Sequence, residues 1–246
     1  MITTLELEGN RVTIDLSRPH DLTREVRNDG ITAWWIDPAH IGPVNLEGYA
    51  GSVAQGSATN FRNVHFNPHS HGTHTECLGH ITEQVYSIQD HLPPRFMLCD
   101  LVSLQPEDLN GDQVITCKSL QVWKHVGAVP ALAVRTLPLD RQTDDQVYSH
   151  SNPCYWQPEA MQEIMDAGVE HILYDQPSVD REEDGGVLAC HNLWWGAPRW
   201  DRKQCTITEL IAAQSNVPDG RYVIQIQVAP IENDAAPSRV SLFEIL

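Results

Sequence analysis

Short apolar runs, several rich in β-branched residues and each bounded by turn residues, recur along the chain. Val12 to Leu16, Phe96 to Leu104, Ala131 to Thr136 and Val169 to Tyr174 read as strands. A fifth run, Tyr222 to Val228, alternates so that one face is apolar and the other carries Gln225 and Gln227. Helical signals are fewer. Pro158 to Ala167 opens with Pro and Glu in its first turn and is followed directly by Gly168, which predicts a helix handing on to the strand from Val169. Ile81 to His91 and Ile207 to Ala213 carry weaker helical spacing. Strands outnumber helices and are interleaved with them, so the pattern predicts an α/β fold, a mixed β-sheet with flanking helices. No repeat, low-complexity tract or long linker interrupts it, and a single domain over 1–246 is expected. The acidic run Asp180 to Asp184, ending at Gly185-Gly186, reads as a solvated loop.

Composition mainly excludes partners. With 33 acidic against 16 basic side chains the formal net charge is −17, which disfavours nucleic acid and anionic membrane. The 41% of apolar residues suffices for a sizeable core, yet no stretch approaches the roughly 18 apolar residues of a membrane helix. The start, MITTLELEGNR, has neither a basic head nor an apolar run, so no signal peptide is visible. Six cysteines lie scattered without a CxxC pair, which fits reduced thiols, and a cytoplasmic protein is expected. Cys77 and Cys190 read as small buried hydrophobes.

Histidine changes the picture. Five of the 12 histidines fall between His65 and His80. The stretch from Asn67 to His80 supplies four imidazoles and the carboxylate of Glu76, the donor types that a first-row divalent ion gathers at about 2.0–2.2 Å. In an extended chain His74 and Glu76 point the same way, and Gly72 removes a Cβ where the backbone must turn. No HExxH is present, which excludes a zincin helix. The residues suit hydrolysis of an amide, formamide or lactam. A metal activates water and polarises the carbonyl, and an uncoordinated histidine moves the proton. Paired or clustered tryptophans (Trp34-Trp35; Trp194, Trp195 and Trp200) fit either an aromatic pocket wall or ordinary core packing.

The segment His71-Gly72-Thr73-His74-Thr75-Glu76-Cys77-Leu78-Gly79-His80 resembles the signature of the cyclase-like metal-dependent hydrolases, the family of bacterial kynurenine formamidase and isatin hydrolase. That signature runs roughly H-x-G-T-H-x-D-x-P-x-H. Asp15-Leu16-Ser17, Arg135-Thr136, Asp175-Gln176-Pro177-Ser178-Val179-Asp180, Asp219-Gly220-Arg221-Tyr222 and Pro237-Ser238-Arg239-Val240 resemble further family stretches in the same order.

The resemblance implies a homodimer or higher oligomer, such as a tetramer, with one or two divalent ions per chain, zinc or manganese. It implies an arylformamidase-like hydrolase of carbon–nitrogen bonds in a small molecule, of the kind used in tryptophan catabolism. Carried residue by residue, His74, Glu76, His191 and Glu209 are implied metal ligands and His80 the catalytic histidine. Trp35 is the implied substrate contact, and Asp180 is either a support for the metal ligands or a solvated acid. The family's first histidine falls on Ser70, flanked by His69 and His71, of which His69 is the preferred replacement. Leu78 stands where the family has proline. The missing ligand leaves a competing expectation, a metal- or ligand-binding protein that keeps the fold with little turnover.

Overall fold

A computed structural model describes residues 1–123, 129–139 and 143–246. Its central feature is a mixed sheet of eight strands among the described residues. Seven of them are labelled here in chain order: β1 (His74–Glu76), β2 (Met97–Leu104), β3 (Ala131–Thr136), β4 (His171–Tyr174), β5 (Thr206–Glu209), β6 (Gly220–Val228) and β7 (Ala235–Glu244). The order β6-β2-β3-β4-β5-β1-β7 is closed by pairing of β7 with β6, so the sheet forms a ring. Strands β2 to β5 run parallel to one another, while β1, β6 and β7 are joined to their neighbours in antiparallel fashion. The eighth strand, His20–Asp21, adds to β7 outside the ring.

Alternation along the strands divides the core in two. Cys99, Leu101, Ala131, Ala133, Leu173, Ile224 and Leu242 form one cluster. Small Cys99, Ala131 and Ala133 among larger Leu and Ile side chains suit the filled interior of a narrow ring. Val102, Leu132, Val134, Ile172 and Ile207, the alternate residues, pack outward against the helix side chains Met161, Ile164 and Trp194. Strands β2, β3 and β4 are therefore buried on both faces, as parallel strands under helices are, whereas Tyr222 to Val228 in β6 keeps Gln227 exposed.

The helix α2 (Pro158–Asp166) forms as its sequence predicts, with Pro at its start and Ala160, Met161 and Ile164 buried. Gly168 closes it at φ +94°, its N–H bonded to the Met165 carbonyl. Two predicted helices do not form. Ile207 to Ala213 is instead β5 and the chain leaving it, because Ile207 and Thr208 pair with both β4 and β1. Ile81 to His91 is mostly turn, with one 3₁₀ turn at Ile88–Asp90. Strand β7, the longest, carries no alternation clear enough to have been predicted. Among the described residues, no helix is long and apolar enough to cross a membrane.

Candidate metal centre

Register builds the centre. In β1, His74 and Glu76 share the outer face of the ring, and β5 lays Glu209 opposite His74. Thr75, between them, turns inward, where its hydroxyl meets those of Thr208 at 2.9 Å and Ser238 at 2.8 Å. These buried hydroxyls satisfy one another and tie β1 to both neighbours. Ahead of β1 lies a single helical turn, α1 (Pro68–His71), whose first turn is capped by the Asn67 side chain accepting the His69 N–H. Gly72 joins α1 to β1 in extended conformation. Its missing side chain leaves room for the neighbouring segment at Arg24, since a Cβ would lie 2.9 Å from the Arg24 carbonyl oxygen. Close approach, and not the tight turn expected from sequence, is what requires glycine here.

Glu76 sits at the middle. Its Oε2 lies 3.1 Å from His69 Nδ1 and 3.9 Å from His80 Nε2, and its Oε1 lies 3.3 Å from His191 Nε2. His74 Nε2 is 3.4 Å from Glu209 Oε2. His191 comes from α3 (Ala189–Trp194), a helix whose N-terminal N–H groups at Cys190 and His191 are taken by the two oxygens of Asp180. The same carboxylate accepts His191 Nδ1–H at 2.6 Å. His74 donates its Nδ1–H to the Gly72 carbonyl at 3.0 Å. Both rings therefore turn Nε2 toward the carboxylates, the arrangement that metal-ligating histidines use.

The carboxylates are buried in close company. Burial opposes ionisation of Glu76, but His80, His191 and His69 around it hold its carboxyl well below the ordinary range. Glu209 is pushed up by burial and by the charge of Glu76. Burial likewise opposes protonation of His69 and His191, yet Asp234 and Glu76 raise the first, and Asp180 and Glu76 the second, to about 10. A divalent cation meets the same demand with coordination in place of protons.

The donor atoms fit such an ion. His74 Nε2, both oxygens of Glu76 and Glu209 Oε1 are buried without a hydrogen-bond partner. Each orphan of this kind costs roughly 1–3 kcal/mol unless something fills its valence. His69, His74 and Glu76 bring ligand atoms within 4.8 Å of one another, as do Glu76, His80 and His191. Mixed imidazole and carboxylate donors suit several divalent metals.

The family model Cyclase, described as "Putative cyclase", matches residues 14–181, more than half of the chain. The chain belongs to the cyclase family. No functionally curated protein matches it. Solved structures similar to it include "The structure of predicted metal-dependent hydrolase from Bacillus stearothermophilus", 16% identical with a TM-score of 0.63, covering 92% of this chain and 98% of that one. Isatin hydrolase A from Labrenzia aggregata, bound to benzyl benzoate, is 15% identical with a TM-score of 0.67 and covers 92% and 93%. Isatin hydrolase A from Ralstonia solanacearum is 16% identical with a TM-score of 0.64 and covers 92% and 91%. At these identities the likeness is one of fold.

In this cyclase-family chain, His69, His80, His191 and Glu209 line a cavity of about 340 Å³, and His74 and Glu76 are packed against them. Trp34, Ile36, Pro177 and Leu188 supply apolar wall. Trp35 does not. It is 49% exposed, with its indole N–H on His150 Nδ1, and its neighbour Trp34 takes the wall position, bonded to the His69 carbonyl. The backbone pays for this frame in strain, because Trp34, Leu188 and Leu210 all sit at positive φ, between +46° and +63°. His71 is also outside the cluster. Its Nδ1 accepts the Asn67 N–H and its Nε2 donates to the Asp37 carbonyl. The Ser70 hydroxyl donates to the Ala33 carbonyl at 2.7 Å and accepts the Ala33 N–H at 2.9 Å. It pins the segment that carries Trp34.

Two acids change standing. Asp180, read from its run as an acid of a solvated loop or a support, is buried and serves as the support of His191. Asp234, which no motif marked, reaches both His69 and His80. Trp194 and Trp195 are fully buried and belong to the core.

Proposed function

We propose that this protein is a metal-dependent hydrolase that opens a carbon–nitrogen bond of a small, flat molecule, an aryl formamide or lactam. One observation carries the reading: imidazole and carboxylate donors, those of His74, Glu76 and Glu209 buried without partners, converge beside a cavity walled in part by Trp34, Ile36, Pro177 and Leu188. His69, His74, Glu76, His191 and Glu209 would hold the ion or ions, zinc in first place and manganese in second. A divalent ion bound there supplies Lewis acidity toward a carbonyl and toward water.

The chain's own groups do the remainder. Trp34, Ile36 and Leu188 bury the flat face of the substrate and exclude bulk water from the donors. His80 is the most exposed imidazole of the cluster, with 32% of its side chain accessible, and its Nε2 faces Glu76. It takes the proton of the attacking water and delivers it to the leaving nitrogen. The names of the isatin hydrolases of similar fold support the choice of substrate. Ser70 favours a second reading, a binding protein without turnover, while the placement of His69 beside Glu76 opposes it.

The test is hydrolysis of aryl formamides and isatin-type lactams by protein depleted of metal with a chelator and then reloaded. Activity is expected to vanish and return, and His80→Ala to lower kcat by about 10²–10⁴-fold with metal content unchanged. A metal-replete protein whose His80→Ala variant matches wild type on every substrate would sink the proposal. A metal-replete wild type that turns over none of them would leave the binding reading. Association of two or four copies is also proposed, and light scattering of the purified chain tests it.

A further inference from the structure

Asp234 stands outside every recognised motif, yet two imidazoles of the centre converge on it. Its position follows from the ladder. Ala235 opens β7 opposite Glu76, so the preceding residue falls beside Cys77, whose N–H it takes through its own carbonyl at 3.1 Å. The adjoining Asn233 carbonyl takes the N–H of Ile88 at 2.8 Å. Backbone held on both sides brings the Asp234 side chain beside His69 and His80.

There a single oxygen, Oδ2, lies 2.9 Å from His69 Nε2 and 3.2 Å from His80 Nδ1. The two rings stack with centroids 4.2 Å apart and planes inclined by 27°. An ionised carboxylate only accepts hydrogen bonds, so the nitrogen of each ring that faces it carries hydrogen. The opposite nitrogens, His69 Nδ1 and His80 Nε2, are the two that face Glu76.

His74 and His191 each have a private partner for the remote nitrogen, the Gly72 carbonyl and Asp180. Asp234 is the partner of His69, and it is shared with His80. This explains how a histidine one position early can serve where Ser70 cannot. The displaced ring has its own acceptor waiting across the sheet.

We propose that Asp234 is a positioning residue that fixes the tautomers of His69 and His80 together, presenting one as a ligand and the other as a base. The roles assigned to the two rings rest on the metal-hydrolase reading above; the tautomers do not.

The experiment uses the full chain, ¹⁵N-labelled at histidine, as wild type, Asp234→Ala, Asp234→Asn and the exposed control Glu232→Ala. Long-range ¹H–¹⁵N spectra assign the imidazole tautomers, chelator competition gives zinc affinity, and thermal unfolding checks the fold. In metal-free wild type, read above about pH 10 where His69 has lost its second proton, His80 is expected as its Nδ1–H form and His69 as its Nε2–H form. Both assignments are lost in Asp234→Ala, with zinc bound about 10–100-fold more weakly and kcat reduced while KM changes little. In Asp234→Asn the amide oxygen can stand where Oδ2 stood and accept from both rings, so both tautomers are expected to persist, with zinc affinity between wild type and Asp234→Ala because the charge is gone. Glu232→Ala changes none of these.

Opposite tautomers in wild type, or unchanged tautomers in a folded Asp234→Ala, overturn the proposal. A wild type that binds no zinc and hydrolyses nothing defeats the metal-hydrolase reading instead, and the spectra still decide the part played by Asp234.

Discussion

Asp180→Asn separates support of a ligand from ligation itself, because Asp180 touches the centre through His191. The change is nearly isosteric, yet the carboxylate accepts three N–H groups: Cys190 N at 2.7 Å on one oxygen, and His191 N at 3.0 Å and His191 Nδ1 at 2.6 Å on the other. An asparagine amide nitrogen accepts none of them. It will settle where one bond is lost instead of two, facing the Cys190 N–H, and a buried N–H left unpaired costs roughly 1–3 kcal/mol. The remaining carbonyl still holds His191, but without charge, and without an anion at the start of α3. Loss of such a support lowers metal affinity by about 10–100-fold, or roughly 1.4–2.7 kcal/mol. Two measurements read the two effects. Chemical denaturation of the metal-free protein gives the first, and zinc competition against a colorimetric chelator gives the second. At a fixed excess of zinc, the metal-induced rise in melting temperature shrinks accordingly. A variant that unfolds and binds zinc as wild type does would refute the argument that Asp180 organises both α3 and His191.

Three further outcomes are expected. His69→Ala lowers the zinc stoichiometry or affinity and His71→Ala leaves both unchanged, by elemental analysis after dialysis; the reverse result would put the replacement for the missing ligand on the wrong histidine. Ser70→Ala, which deprives the Ala33 N–H and carbonyl of their partner, costs roughly 1–3 kcal/mol in denaturant unfolding while metal content holds. Burial, with Arg202 adding to it, pushes His171 down from 6.5 to about 4, so the folded protein keeps this ring neutral. Between those values the unfolded chain binds the extra proton, so stability is lost as pH falls from about 6.5 to 4, by about 3 kcal/mol. His171→Asn is expected to flatten the fall in unfolding free energy between pH 7 and 4 by that amount, and an equally steep fall would count against it.

What could be read from the chain before folding, and what could not, divides along a physical line. Strands β2, β3 and β4 are buried on both faces, so their apolar runs announced them whatever their partners. The helix α2 carries its start and stop in its own residues. Thr206 to Glu209 misled because the spacing of Ile207, Leu210 and Ile211 fits a helical face as well as a strand end; only pairing with β1 and β4 decides, and pairing is a property of the ring. The same holds at the centre. His74 and Glu76 were legible because two residues of one strand share a face, which is local geometry. Asp180 was half legible, since it ends the Asp175 to Asp180 stretch and was offered as a support, while Arg181 to Asp184 after it read as a solvated loop. Asp234 is separated from His80 by 154 positions and reaches it only because Ala235 pairs with Glu76. A ligand placed by its own strand leaves a trace in sequence spacing. The acid that orients it leaves none, because its position is set by the register of a different strand.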